Sequence, residues 1–428
     1  MAKSIPKDFI DRLVEDSDIV SVINHYISLT KKGNNYTCCC PFHEEKTPSF
    51  VVSPQKAIFH CFGCGAGGNV LTFIKDYEGL NFVEAVEKLA ELNNVTVPRE
   101  NTFGNDNFTK IYEINDIVAN FYFDALKNPK QKSIVQYLKE RGISGQTAKN
   151  FKIGFADFNQ NELLKVLQSK FSEKDILESG NFLKNEKGYY PFLRNRVTFP
   201  IFNSTGKTIG FGGRVTDDSM PKYLNSKDSK FFNKTRELYG FNNAKKDHKT
   251  EDFIVTEGYM DVVMLSEYGI NNAVASLGTA FSQNHMNLMF KLRRKITFCF
   301  DSDEAGLKAA WRALQISLKN VVDDKTVRFL FLPEGYDPDS YVKENGEQEF
   351  YKKLDRAMVL ESFAFQYLKR GKKLDSPEDI RQIIFEFKKI LPLATSEMLK
   401  ETLMTKFSSE LNINKEIFLK EDKPEKKT

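Results

Sequence analysis

Four metal-competent side chains fall in two pairs, Cys40 with His43 and Cys61 with Cys64, each pair spanning a two-residue gap and the pairs standing 17 residues apart. Three thiolates and one imidazole close a tetrahedral structural zinc site, and a two-residue gap lets both ligands of a pair share one tight knuckle. Pro41 follows the first ligand and Gly63 and Gly65 flank the last, so both loops carry residues that let backbone approach sulfur. Cys39 offers a competing three-residue spacing to His43; Cys40 is preferred because its spacing mirrors the second knuckle, which leaves Cys38 and Cys39 over. A segment of this size has a small core, whereas one structural zinc supplies an apparent binding free energy of about 10 to 16 kcal/mol. Metal is expected to fold it.

The 428 residues allow two to four domains. Residues 1 to 97 open with helical patterns around Phe9 to Val14 and Ile19 to Tyr26, pass through Cys-rich strands and close with a helix over Phe82 to Leu92. Between the ligand pairs, Ser49 to Val52 and Ala57 to Cys61 read as a hairpin carrying Phe50, Phe59, His60, Lys46 and Lys56. Aromatics interleaved with cations suit stacking of unpaired bases, although strand alternation sends some of them into the core. Residues 98 to 108 have the turn chemistry of a linker. Residues 109 to 250 read as mixed, with helices over Ile111 to Leu126 and Ile134 to Arg141 and strands over Val197 to Phe202 and Thr208 to Phe211.

From 251 to 345 the β-rich runs Phe253 to Thr256, Ala273 to Ser276, Ile296 to Phe300 and Val327 to Leu332 alternate with helical segments, as a parallel sheet with crossover helices requires. Residues 346 to 419 read as helical: Ser376, Pro377 and Asp379 mark a helix start, and Ile380, Ile383, Ile384, Phe387, Ile390 and Leu391 share a face suited to core packing. The charged tail 420 to 428 is expected to be disordered. No apolar run approaches the roughly 18 residues of a membrane span. Met1 to Ile10 lacks an apolar targeting segment, so a cytoplasmic location is expected, with the six cysteines as ligands or free thiols.

Acidic residues end the β-rich runs. Phe253 to Thr256 leads into Glu257-Gly258, Ile296 to Phe300 into Asp301-Ser302-Asp303, and Val327 to Leu332 into a loop bearing Asp337 and Asp339; Asp261 lies one helical turn past Glu257. The carboxyl ends of strands in an open α/β sheet are where ligands bind, so these groups converge on one crevice. Two carboxylates about 4 Å apart repel by roughly 4 kcal/mol at an effective dielectric of 20, which cations relieve; all-oxygen ligands suit Mg²⁺ or Mn²⁺. Charge is also segregated. Residues 194 to 236 hold nine Lys/Arg against three Asp, a net +6 in a chain whose total is +4. A polyanion would meet the chain there.

Glu257-Gly-Tyr-Met-Asp261 with Asp301-Ser-Asp303 resembles the Toprim fold shared by primases and topoisomerases. CPFHEEKTPSF, HCFGCGAGGN, GFGGR (Gly210 to Arg214), PKYLNS (Pro221 to Ser226) and ASLGT (Ala275 to Thr279) resemble the DnaG-type bacterial primases in order and spacing, over residues 1 to about 410. The resemblance implies a multidomain α+β and α/β chain. Its parts are an N-terminal zinc-ribbon module, a mixed α/β basic subdomain, a parallel-sheet Toprim domain and a C-terminal helical subdomain. It implies an enzyme that starts RNA chains from ribonucleoside triphosphates on a single-stranded DNA template, by two-metal nucleotidyl transfer. Glu257, Asp301 and Asp303 would hold the catalytic metals with Asp261, Asp337 and Asp339 contributing, and Arg214, Lys222, Tyr223 and Lys234 would meet nucleotide or template. Arg141, Arg194 and Arg196 match further basic positions. The RNA primer, a replicative helicase and a single-strand-binding protein are implied as product and partners. Two departures stand out: Ser302 and Glu304 replace an expected glycine and basic residue, and the family's helicase-binding domain has no counterpart before residue 428. A topoisomerase would need a nucleophilic tyrosine on a strand-gating domain, and none of the 16 tyrosines has that context. A non-catalytic single-strand-binding scaffold has no physical reason to keep so costly a carboxylate set.

Overall fold

The computed structural model describes residues 5, 7–93, 95, 97, 105–247, 250–322 and 324–419. The tail from 420 and residues 98–104 of the expected linker lie outside them. A helix, Asn105–Ala125, begins within the stretch read as linker, because Ile111, Ile114, Val118 and Tyr122 recur at helical spacing and need a face to bury. Two compact units divide near Lys110.

The first unit is a five-stranded antiparallel meander, Thr30–Lys32, Asn35–Cys38, Phe50–Ser53, Ile58–Cys61 and Gly67–Gly68, with helices at Lys7–Asp16, Ile19–Tyr26, Val70–Glu78 and Phe82–Leu92. Its centre is aromatic: Phe50 stacks on Phe59 at 5.1 Å between ring centroids, and Phe73 meets both edge-on. Phe50 and Phe59 are therefore core residues and unavailable to bases, which corrects half of the hairpin expectation. His60 and Phe62 are exposed and touch at 4.8 Å.

In the second unit, Tyr223–Asn225, Thr208–Arg214, Arg196–Phe202 and Gly154–Ala156 form an antiparallel sheet in that order. The strand Thr208–Arg214 is buried along its length, and its glycines make room for neighbours: a Cβ on Gly212 would lie 2.5 Å from the Tyr259 ring. A second sheet runs Ala273–Ala275, Asp252–Thr256, Lys295–Phe300, Thr326–Phe331 and Met358–Val359, parallel except for the last strand. Alternate residues serve two cores. Phe253, Val255, Phe298 and Phe329 face one, shared with the C-terminal helices; Ile254, Cys299 and Leu330 face the other, shared with Val197, Phe199 and Ile201 of the antiparallel sheet. The regions separated in the sequence reading at 250 and 345 thus belong to one compact body.

The C-terminal helices Leu360–Lys369, Pro377–Ile390 and Glu397–Leu411 pack through aromatic rings, Phe387 on Phe407 at 3.8 Å. Ser376 caps the second by accepting from the Asp379 amide. Both phenylalanines are fully buried. Phe387→Ala is expected to lower stability by about 3 to 5 kcal/mol, read by denaturant unfolding, whereas Phe385→Ala, at a ring that is 55% exposed with Lys389 over it, should cost under about 1 kcal/mol.

Candidate functional site

The metal quartet is assembled in the first unit. One ligand atom each from Cys40, His43, Cys61 and Cys64 lies within 4.8 Å of the others, with Cys40 Sγ 3.8 Å from Cys64 Sγ and Cys61 Sγ 3.7 Å from His43 Nδ1. That donor set fits tetrahedral zinc, and Cys40, not Cys39, takes the first place. Burial opposes ionisation of Cys61, but its hydrogen bond with Ser49 Oγ and donation from the Cys64 and Gly63 amides hold its thiol below the usual range. Glu45 was not anticipated. It accepts from the Cys40 and Ser49 amides at 2.7 and 2.9 Å and sits 3.2 Å from His43 Nε2, so it fixes the imidazole with Nδ1 toward the thiols. A Cβ on Gly63 would fall 2.5 Å from that Nε2.

The acidic residues gather at the carboxyl edge of the parallel sheet. From the strand Asp252–Thr256 the chain first adds a neighbour on one side, Ala273–Ala275, and then crosses to the other, Lys295–Phe300. Glu257 and Asp301 leave the two strands that flank this reversal, where α/β sheets open a crevice. Their titration reports their proximity. Burial, then Glu257, Asp337 and Asp303, push Asp301 up to about 6. Burial, then Asp337, Asp301 and Asp339, hold Asp261 well above the carboxylate range despite the Gly258 amide. Burial and Asp303 likewise raise Glu257, against donation from the Asp301 amide. Glu257, Asp261, Asp301 and Asp339 are all raised, each by burial and by acidic neighbours in this set, and buried Cys299 is raised by burial and by three of the same charges.

Three of the six cap helices. Asp303 accepts from the Gly306 amide at 2.7 Å, Asp337 from Ser340 at 2.8 Å, and Asp261 from Gly258 at 2.9 Å. The positive ends of helix dipoles thus offset part of the repulsion, and each cap leaves a second carboxylate oxygen for a cation. A Cβ on Gly306 would strike the Asp301 carbonyl at 2.2 Å, so glycine lets this loop close onto its helix.

Beside the cluster stand two arginines. Arg141 pairs with Asp339 at 3.7 Å. Arg214 is buried between the Tyr137 and Tyr223 rings, and its Nε and Nη1 have no hydrogen-bond partner among the described residues. Arg214 is thus a buried cation beside Asp339 with donors left unused. Tyr223 itself is half-buried and lies under that guanidinium. Lys222 is exposed and Lys234 partly so. Lys234 is placed from behind: its carbonyl accepts from His285 Nε2 at 3.0 Å and Thr279 Oγ1 at 3.4 Å, while burial lowers His285 to about 4 and keeps it neutral. Arg196 departs from expectation. It is buried and donates to the Pro221 carbonyl at 2.8 Å and those of Gly213 and Lys222 at 3.3 and 3.4 Å, so it holds the Lys222 segment in place and has no free face for a nucleotide. Arg194 is exposed, with the rings of Phe158 and Tyr190 each 5.9 Å from its guanidinium.

A family model described as the CHC2 zinc finger matches residues 5–105, one described as the N-terminal domain of the DNA primase catalytic core matches 121–245, and a Toprim-like one matches 254–342. The chain belongs to the DnaG-type bacterial DNA primase family. A DNA primase of Pseudomonas aeruginosa is 48% identical over 380 residues, 86% of this chain and 57% of the relative; that of Escherichia coli K12 is 42% identical over 386 residues, 88% and 66%. This chain therefore spans 57% of the length of the first of these primases. Among solved structures, the Aquifex aeolicus primase comprising zinc-binding and RNA polymerase domains is similar at TM-score 0.64 and 35% identity, covering 96% of this chain and 98% of that one. A DnaG catalytic domain bound to single-stranded DNA is similar at 0.66 and 36%, covering 71% and 99%.

Within the primase family the departures at Ser302 and Glu304 prove local. Ser302 Oγ donates to the Leu332 carbonyl, tying the Asp301 loop to the next strand. Glu304 turns away to Arg370 at 2.7 Å and Lys308 at 3.8 Å, so its charge is met on the helical side and adds little to the cluster.

Elemental analysis should find one zinc per chain. Cys64→Ser should lose it and Cys39→Ser should keep it. The carboxylates have a stability signature. Asp301 rises from its ordinary 3.8 to about 6 on folding, so between those pH values the folded chain holds a proton that the unfolded chain has released. Stability therefore falls as pH rises through that window and stays reduced above it. In chelator, Asp301→Asn should raise the melting temperature at neutral pH and have no such effect below pH 3.8; an equal gain at both would contradict the assignment.

Proposed function

We propose that this chain synthesises RNA primers from ribonucleoside triphosphates on single-stranded DNA by metal-dependent nucleotidyl transfer. The observation that carries the reading is the group of mutually raised carboxylates at the sheet's reversal point, with buried Arg214 and its unpaired donors beside it. Glu257, Asp301 and Asp303, with Asp261, Asp337 and Asp339 contributing, would hold divalent cations, Mg²⁺ or Mn²⁺, which lower the pKa of an attacking 3′-hydroxyl and neutralise the leaving pyrophosphate.

The side chains do the rest. Arg214 and Arg141 draw a triphosphate toward the cluster, Arg141 being steadied by Asp339. Lys222 and Lys234 meet nucleotide or template phosphates, while Tyr223, Arg196, Thr279 and His285 keep those cations in place. No side-chain nucleophile is required. Residues 1 to 97 serve as the template-reading zinc module, 109 to 250 as the basic part of the polymerase core, 251 to 345 as its Toprim part and 346 to 419 as a helical support. The proposal carries with it a cytoplasmic location and, as partners, a replicative helicase and a single-strand-binding protein.

The test is incubation with unprimed single-stranded DNA, the four ribonucleotides and Mg²⁺ or Mn²⁺. Short RNA products are expected from the parent chain. Glu257→Gln should abolish them while template affinity holds or rises, since a charge that repels phosphate is gone. Products undiminished in Glu257→Gln would remove the metal assignment, and no products from the parent under either metal would remove the function.

A further inference from the structure

Arg214 ends the strand Thr208–Arg214 opposite Tyr223 in register, so one of the two rings beside it comes with the sheet. The other does not. It belongs to Tyr137, in the helix Lys132–Glu140, and lies 5.7 Å from the guanidinium. No motif singles out this tyrosine. Its hydroxyl is buried with no hydrogen-bond partner among the described residues, a cost that phenylalanine would avoid, so packing alone does not account for it. The unmet groups beside it are donors. They are Nε and Nη1 of Arg214, and Nε of Arg141, which stands one helical turn on and donates its amide to the Tyr137 carbonyl at 3.0 Å.

The helix that bears Tyr137 is braced against the acidic edge. Ile134 and Leu138 enter the core shared with Phe199, Met264 and Tyr341. At its end Lys343 Nζ donates to the Glu140 carbonyl at 3.1 Å, and just beyond, Glu267 accepts from the Ser144 amide at 2.9 Å. Lys343 belongs to the helix Pro338–Asp355 and Glu267 to Tyr259–Glu267, which carry Asp339 and Asp261 in their first turns. Tyr137 is thus fixed relative to the carboxylates while its ring lies against Arg214.

We propose that Tyr137 is a positioning residue for the incoming nucleotide, acting through Arg214: its ring holds the guanidinium, and its hydroxyl accepts from Nε when the Nη groups turn to a triphosphate. The inference rests on the primase reading and deepens it. A guanidinium fork gives a phosphate two parallel donors and still has a further N–H to satisfy. In a buried site that N–H needs an acceptor. A carboxylate there would cancel the charge that attracts phosphate, whereas a phenol leaves it intact. The ring face adds attraction for the cation, strongest where water is excluded.

The experiment measures ATP binding to the full chain with Mg²⁺ by isothermal titration calorimetry, which does not depend on turnover. Tyr137→Phe, which keeps the ring, should weaken binding about tenfold, the low end for a hydrogen bond to a charged group. Tyr137→Leu should weaken it about threefold more, since the ring attraction is lost as well. The melting temperature of Tyr137→Phe should not fall. In an Arg214→Lys background, which keeps a cation but removes the fork, Tyr137→Phe should add little. In primer synthesis the loss should fall on KM for ribonucleotides with kcat kept, whereas a merely structural defect would reduce the active fraction and hence kcat. Parental ATP affinity in Tyr137→Phe, or an equal loss with and without Arg214, overturns the positioning role. If the parent makes primers and the Tyr137 variants bind ATP as it does, that role alone fails; a parent that neither binds ATP nor makes primers overturns the primase reading with it.

Discussion

Mutual repulsion of carboxylates at one sheet edge is the constraint around which the second unit is built. Six acidic groups share the crevice, and burial with mutual charge raises Asp261, Glu257, Asp301 and Asp339 together. A fold can sustain this without cations only by placing positive potential under the cluster. The parallel sheet does so by its topology, since each strand that delivers an acid is followed by a helix whose N-terminus points back at it. Asp261, Asp303 and Asp337 are caps and ligand candidates at once. The same geometry that tolerates the charge leaves it unsatisfied enough to favour cations.

A second requirement is that the basic sheet be registered against this edge, and a short polar chain achieves it. The Tyr259 hydroxyl, two residues after Glu257, donates to Asn225 at 2.6 Å, and Asn225 donates to the Leu277 carbonyl at 2.9 Å. Gly212 lacks a side chain because the Tyr259 ring lies against it. GFGGR and PKYLNS, neighbours in sequence, thus meet the distant ASLGT at one tyrosine, so a shift in the basic sheet would be felt at Glu257. Arg196 and His285 extend the arrangement, each using buried donors to fix the backbone on which Lys222 and Lys234 stand.

Much of this was legible in the sequence where one residue type has one physical use. Cys and His at knuckle spacing, β-branched runs ending in acids, and Ser-Pro before a helical stripe all landed within a residue or two. What the sequence could not show was the direction of a side chain. Phe50 and Phe59 alternate on the strand as Phe62 and His60 do, and only the meander's register decides which face is the core. Arg194 and Arg196 look alike as letters, yet the left-handed Asn195 between them sends one to solvent and the other onto carbonyls. Glu45 gave a faint signal, an acid two residues past a ligand histidine. Asn225 gave none, since an amide's value lies in partners that are distant in the chain.

Glu304 shows how charge at such a site is settled by its neighbours. Beside Asp303 it reads as a seventh negative group in the crevice. As the first residue of the helix Glu304–Asn320 it points outward from the helix start, favoured there by the dipole, and reaches Arg370 at the end of Leu360–Lys369. That pair is exposed, and an exposed pair contributes only about 0 to 1 kcal/mol to stability. Its consequence is directional: it fixes the carboxylate on the helical side, where water and Arg370 screen it from Asp301. Removing Arg370 would still leave Glu304 beside Lys308, so the charge stays on the helical side and Asp301 keeps the neighbours that raise it.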